Sequence, residues 1–409
     1  MRILWLSPTP SMFDEQKIGG WITSLEAAFR KYASDIELGI AFEYPKKAKN
    51  KIDNNITYFP INVDNDIVSN ICSKFRFSLH WEKLKPYYLS IIDEYKPDLI
   101  ECFGSEWEYG KIAKEVAIPV IIHMQGFLNI QNYCIDIVNR GFRYSLFEKI
   151  METRNKHKQR YRNEQEIQVM SINHNFLGRT EWDKNIVRFY NPKAKYFYCN
   201  ETIREAIYEQ RGTWRNVSHK KPVLLTITQG SPVKGNEIIL QTALLLKKHF
   251  CFDFEWRVAG NVVDIKKYER VVGIKFEDVN VRLLGMIDSS SVCRELQNAD
   301  IFVNCSINDN SPNSICEAQL IGCPVISSNV GGIPSIVDNG VTGLLYPYNE
   351  PHTLAFQLMD LLNNNEKMKL LSKKEIEVAS KRHEANQIVL NMINIYKTII
   401  EEEENACNH

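Results

Sequence analysis

A strand, a glycine-bearing loop and a helix open this chain, and the same unit opens again near its middle. Ile3 to Leu6 is an apolar run leading through Gly19-Gly20 into a helical pattern from Trp21 to Tyr32. Val223 to Ile227 leads in the same way through Gly230, Pro232 and Gly235 into a helix from Glu237 to Lys248. Each start predicts a doubly wound parallel sheet, because strand-loop-helix units cover both faces of a sheet only by repeating. Further short apolar runs supply the repeats: Leu99 to Cys102, Val120 to His123 and Val169 to Ile172, then Phe254 to Val258, Val281 to Leu284 and Ile301 to Asn304. The expected fold class is therefore α/β, with two Rossmann-like doubly wound domains facing a central cleft. The polar segment from Asn200 to Lys221 is the expected linker between domains at 1–205 and 218–385. Ile388, Met392, Ile395, Tyr396 and Ile399 lie at helical spacing, so a last helix over 386–402 packs on another surface. Glu401 to Glu404 is expected to trail off as a solvated tail.

Composition is compatible with that architecture. A chain of 409 residues with 44% hydrophobic content can bury two ordinary cores. Its formal net charge is zero, which gives no global pull towards nucleic acid. Ten cysteines without a Cys-x-x-Cys pair suggest reduced thiols and a cytoplasmic setting, not a disulfide framework or a zinc site. Neither a signal peptide nor a membrane-spanning run is expected.

Chemistry concentrates between Asp309 and Pro334, D-N-S-P-N-S-I-C-E-A-Q-L-I-G-C-P-V-I-S-S-N-V-G-G-I-P. Asp309 and Glu317 have seven residues between them, and the intervening Asn, Ser and Pro residues favour a helix start. A helix N-terminus there offers N-H groups and the positive end of its dipole to an anion such as phosphate. Glu317, about one turn inside, is placed to accept hydrogen bonds from sugar hydroxyls. Gly322-Cys323-Pro324 ends the helix, Val325 to Ser328 returns as a strand, and Gly331-Gly332 opens the next turn.

This segment resembles the carboxy-terminal signature of retaining family-4 glycosyltransferases (glycosyltransferases group 1): two glutamates separated by seven residues, a Gly-x-Pro-Val strand and a Gly-Gly-x-Pro turn. The first glutamate is Asp309 here, one methylene shorter, and Pro312 has no N-H to offer. The loop Ser231-Pro-Val-Lys234-Gly235 is similar to the family's donor-diphosphate loop, but the family's arginine five residues before the lysine is Gln229. A second cation must then come from elsewhere. Gly-Arg179-Thr-x-Trp-Asp183 and Asn200-Glu-x-x-Arg204 resemble elements of capsule and surface-polysaccharide enzymes.

The resemblance implies a GT-B fold whose last helix crosses back onto the first domain. It also implies transfer of a sugar from a UDP- or GDP-linked donor to a hydroxyl acceptor, with retention and without metal or cofactor. The catalytic set it implies is Lys234, Asp309, Glu317 and His123. Donor contacts would come from Gly19, Gly20, Gln125, Arg179, Gln229, Gly260, Gly285, Met286, Asn313, Ser314 and Ile315. Arg179 reads equally as a cleft cation or as a helix-cap partner of Asp183 or Glu181. His123 and Gln125, at the end of one strand, fall near the same sheet edge.

Asp64-Asn-Asp66 imitates a metal-binding Asp-x-Asp but reads as an exposed loop. The stretch from Arg140 to Arg162 has eight Lys/Arg against two Glu, with aromatics interleaved. It reads as a solvated helix face or as a surface for anionic lipid or a pyrophosphate-linked acceptor. A glycan or lipid-linked acceptor is the expected partner, with peripheral contact at the inner membrane face through 140–162. A nucleotide-sugar epimerase and a non-catalytic nucleotide-sugar-binding protein are the alternative readings.

Overall fold

The computed structural model describes residues 1–14, 20–63, 79–138, 146–215, 221–229, 231–250, 252–262 and 265–407, without the side chains of 79, 136–138, 146–151 and 407. The first sheet uses β1 (Arg2–Ser7), β2 (Glu37–Glu43), β3 (Lys51–Asp53), β4 (Ile56–Ile61), β5 (Leu99–Phe103), β6 (Val120–His123), β7 (Asn175–Gly178) and β8 (Lys195–Tyr198). The second uses β9 (Val223–Thr228), β10 (Glu255–Gly260), β11 (Val281–Gly285), β12 (Ile301–Asn304), β13 (Val325–Ser328) and β14 (Leu344–Tyr346). Their orders are β3-β4-β2-β1-β5-β6-β7-β8 and β11-β10-β9-β12-β13-β14. Apart from the antiparallel pairing of β3 with β4, the strand pairs are parallel.

Both sheets reverse their winding at the opening strand. β1 has β2 on one side and β5 on the other, and β9 has β10 on one side and β12 on the other. Parallel α/β sheets place their binding crevice beyond the carboxyl ends of the strands at such a reversal. In the second sheet, this is where the loops after β9 and β12 meet.

Side-chain alternation along β1 shows how each sheet is covered. Ile3 and Trp5 enter one core with helix α1 (Trp21–Tyr32), while Leu4 and Leu6 enter the opposite core. That opposite core receives Trp81 and Tyr88 from the helix Leu79–Tyr95, and Val169 and Met170. The run Val169 to Ile172 is accordingly not a strand. It is the last turn of helix α2 (Leu146–Ile172), and the strand is the following Asn175–Gly178. A four-residue apolar run looks the same in a buried helix end and a buried strand, and no glycine or proline separates this one from the polar helix before it.

Helices α3 (Glu181–Tyr190), α4 (Asn236–His249), α5 (Asn313–Ile321), α6 (Asn365–Arg382) and α7 (Ala385–Cys407) complete the elements that bear on the site. The expected linker does not hang free. Ile203 and Ile207 are buried in the core of the second sheet, and Trp214 donates its indole N-H to the Ala299 carbonyl at 2.7 Å. Apolar side chains in a largely polar segment anchor it there. Helix α7 leaves α6 and lays Ile388, Met392 and Tyr396 into the core of the first sheet. Glu401 to Glu404 stays helical as part of α7, as its propensity favours, and Glu402 pairs with Lys195 of β8 at 2.8 Å. Among the described residues, no helix is long and apolar enough to cross a membrane.

Candidate active site

The loop after β9 is shaped by a close backbone approach. Gly235 has φ 67°, and a Cβ there would meet the Cys305 carbonyl oxygen at 1.9 Å. Only glycine lets this loop lie against the one after β12. The contact places Lys234 over Asp309, with Nζ 2.5 Å from Oδ2. Ser306 also donates its hydroxyl to that oxygen, at 3.1 Å. From the other side, the Gly332 N-H reaches the Asp309 carbonyl at 3.0 Å, and Gly331, at φ 54°, sits where a Cβ would strike that carbonyl. The Gly-Gly turn thus fixes the backbone of Asp309.

Helix α5 begins at Asn313 behind Pro312. Its first free donors are the N-H groups of Asn313 and Ser314, which make no hydrogen bond among the described residues. Those of Ile315 and Cys316 turn back to the Pro312 carbonyl. Glu317 is buried one turn further in, and its Oε1 accepts from Arg204 Nε at 3.0 Å and Nη2 at 2.5 Å. Burial raises the carboxyl above its usual range, and Arg204 opposes that rise. The remaining oxygen is left for another donor.

Gly20, Trp21, Gln125 and Arg179 approach from the first domain. Arg179 donates Nη1 to the Met124 carbonyl at 3.1 Å, stands over the Trp21 ring at 5.7 Å and has Nε 3.2 Å from Glu201. Its charge faces Glu201, whose carboxyl burial pushes up to about 7 against the pull of Arg179. Asp183 receives the backbone N-H of Arg179 and, with Thr180, forms a reciprocal cap on α3. Arg179 is thus a cleft cation, and the cap uses its backbone alone.

Asn310 joins the two domains beside this cap. It accepts from Thr180 Oγ1 at 2.7 Å and donates to Asp183 and to the Gln125 carbonyl, both at 3.1 Å.

Gly20, Gln125, Arg179, Gln229, Lys234, Asp309, Asn313, Ser314 and Glu317 line one interdomain cavity of about 440 Å³. The structure leaves others of the expected set outside it. His123 is buried behind Trp21, its Nδ1 2.7 Å from Glu101 and its ring between Trp21 and Phe103. It ends a strand at the sheet edge, but the aromatic floor covers it. The Ile315 side chain is fully buried among the apolar residues of the second domain. Gly260, at the end of β10, pairs with Thr228 of the cavity lining, while Gly285 ends β11 and the exposed Met286 follows it. Gly19, Asp64, Asp66 and Arg140 lie outside the described residues.

Sequence reasoning gave no role to Glu201 or Arg204, although both belong to the Asn200-Glu-x-x-Arg204 element. Arg204 lines the cavity and supplies a cation that Gln229 cannot.

The model of the family described as "Glycosyl transferases group 1" matches residues 221–364. The amylovoran biosynthesis glycosyltransferase AmsK of Erwinia amylovora is 27% identical over 154 residues, 36% of this chain and 37% of that protein. The chain spans about half the length, or less, of the curated relatives it matches first. Sucrose-phosphate synthase from Thermosynechococcus elongatus superposes with TM-score 0.74 at 15% identity, covering 98% of this chain and 99% of that one. Anabaena Alr3699/HepE in complex with UDP-glucose gives 0.64 at 14% identity, covering 96% and 99%. With its two facing parallel-sheet domains, this chain has the GT-B fold, and residues 221–364 match the group 1 glycosyltransferase domain.

Proposed function

We propose that this chain is a retaining glycosyltransferase that moves a hexose from a nucleotide sugar to a hydroxyl of a glycan or lipid-linked acceptor in surface-polysaccharide or glycoconjugate synthesis. One observation carries the reading: Lys234, the N-H groups of Asn313 and Ser314, and Glu317 share a single cavity at a sheet reversal. A diphosphate entering it would meet a cation and a helix N-terminus, and the ribose would meet the open oxygen of Glu317. Asp309, held by Lys234 and the Gly-Gly turn, would receive hydroxyls of the donor sugar.

The pairing of the cavity's carboxylates favours retention. Asp309 faces Lys234, Glu317 faces Arg204 and Glu201 faces Arg179. An inverting reaction needs a base on the face opposite the leaving group, and these three are committed to cations. In the proposed step, the acceptor oxygen bonds the anomeric carbon on the face from which the diphosphate departs. The bond from that carbon to the phosphate oxygen breaks with its electron pair on the oxygen, and the hydroxyl proton passes to the same oxygen. Lys234 and the two N-H groups stabilise the charge that develops there. A donor linked to UDP is favoured by the UDP-glucose complex of the similar Anabaena protein.

The test is saturation-transfer NMR across UDP-, GDP- and ADP-sugars, followed by product analysis with the donor that binds. A new glycoside with the donor's anomeric configuration supports the proposal. An inverted glycoside, an epimerised free nucleotide sugar, or binding without product overturns it.

A further inference from the structure

A second cavity, of about 580 Å³, opens on the first domain alone. Its walls include Glu43 at the end of β2, Glu106 and Trp107 after β5, and Lys158 and Arg162 of α2. Two acids on its rim are already neutralised. His80 has Nε2 3.2 Å from Glu43 and Nδ1 3.6 Å from Glu108, and both carboxylates hold its imidazole at about 9, in the charged form. Glu108 also meets Lys111 at 2.9 Å and accepts from the Tyr161 hydroxyl at 2.7 Å.

The opposite wall carries positive charge, and Arg162 there acts on the Glu106 carboxyl. Lys158 and Arg162 are four residues apart on one helix, so their side chains share a face. Among the described residues, neither has a carboxylate within ion-pair distance. Arg162 stands 5.7 Å over the ring of Trp107, which is 36% exposed. Glu106 presents a buried Oε2 that no group satisfies. Burial pushes its carboxyl up to about 7, so it can stand beside an anion partly uncharged. Both cavities open at the carboxyl edge of the same sheet: Glu43 ends β2 and Glu106 follows β5, the strands on either side of β1, and Gly20 and Gln125 of the donor cavity follow β1 and β6.

We propose that this cavity holds the acceptor, and that the acceptor is an anionic saccharide: a sugar ring against Trp107 with its carboxylate or phosphate on Lys158 and Arg162. The inference rests on the transferase reading above, because a transferase needs a second substrate site within reach of the first. The exposed part of the Trp107 indole, with Arg162 above the ring and Tyr109 stacked near-parallel to it at 6.3 Å, offers an apolar edge to the C-H groups of a pyranose, and a lysine with an arginine one turn away suits either anion.

The full chain is titrated calorimetrically with methyl glucuronide, glucose 6-phosphate and methyl glucoside, and separately with UDP and GDP. At least one anionic probe should bind about tenfold or more tightly than the neutral glucoside, and the preferred probe tells carboxylate from phosphate. Lys158→Glu and Arg162→Ala should each weaken that binding about fivefold or more, with unchanged melting curves and unchanged nucleotide affinity. Equal binding of the neutral probe, insensitivity to both substitutions, displacement by UDP or GDP, or capture only by anionic lipid vesicles overturns the acceptor assignment. If neither nucleotide binds the unaltered chain, the transferase reading itself fails.

Discussion

Lys234 and Asp309 face each other across the mouth of the second sheet, with Nζ 2.5 Å from Oδ2. They come from loops after different strands and meet only because Gly235 lets one loop lie on the other. Removing the cation by Lys234→Ala should lower turnover at saturating donor by roughly 100-fold, with the fold intact. Asp309→Asn should also lower transfer. The double substitution should cost less than the product of the two, because the pair acts as one unit. Initial rates of the four proteins provide the check, and independent, multiplying losses would dissolve the pair.

Glu317 and Arg204 call for a separate measurement. Glu317→Gln keeps the shape but turns an acceptor into a partial donor, so affinity for free UDP or GDP should weaken by roughly 1 to 3 kcal/mol. Arg204→Ala removes the cation that opposes the burial-driven rise of the Glu317 carboxyl. That carboxyl should then protonate at higher pH, so the loss of nucleotide affinity should be larger at pH 6 than at pH 8. A pH-independent loss in calorimetry would count against the ribose role.

Divalent metal should be dispensable. Among the described residues, no cluster of three or more His, Cys, Asp or Glu could hold an ion, and the leaving-group charge is assigned to Lys234 and backbone N-H groups. Transfer assayed in excess chelator should match the untreated rate. A loss restored by magnesium or manganese would redirect attention to Asp64 and Asp66.

Glu375 gives a stability prediction with a definite sign. It is fully buried on α6, with one oxygen accepting from the Val325 N-H at 3.0 Å and the other unsatisfied, and burial holds its carboxyl well above the usual range. The folded state therefore keeps a proton that the unfolded chain loses above about pH 4.3. Stability from this group falls as pH rises through that point and onward towards the folded pKa. Glu375→Gln should melt higher than the parent at pH 8, with the gap closing near pH 4. A gap that stays constant with pH would reject the assignment.

Gly331→Ala tests the turn that pins Asp309. The residue sits at φ 54°, and the new methyl would lie 1.9 Å from the Asp309 carbonyl oxygen, so the turn must open. We expect a stability loss of about 1 to 3 kcal/mol together with a fall in transfer. Full activity in a stable protein would show that the turn is not what sets Asp309.

Much of the fold was legible because parallel strands buried on both faces are short apolar runs between glycines. Val120 to His123, Ile301 to Asn304 and Val325 to Ser328 were read to the residue. Val169 to Ile172 failed because a buried helix end shows the same four letters. In the site, Lys234 and Asp309 to Glu317 stood out because glycine, proline and acid spacing is local. Arg204, Glu201 and Trp21 did not, since each meets its partner from a separate segment of the chain. For His123, the place on the strand was visible, but the tryptophan in front of it was not.

Helix α7 begins where α6 ends on one domain and finishes as a wall of the other. The return crossing lies against the outward one, since the His383 ring nitrogen is 2.7 Å from the Glu201 carbonyl. Two crossings of the chain passing at one point make a natural pivot, so an opening of the cleft should turn about that spot and part the Asn310 contacts. The same wiring makes the halves hard to divide. An amino-terminal fragment cut before residue 385 would expose the pocket that Met392 and Tyr396 fill, and adding the α7 peptide in trans should recover it.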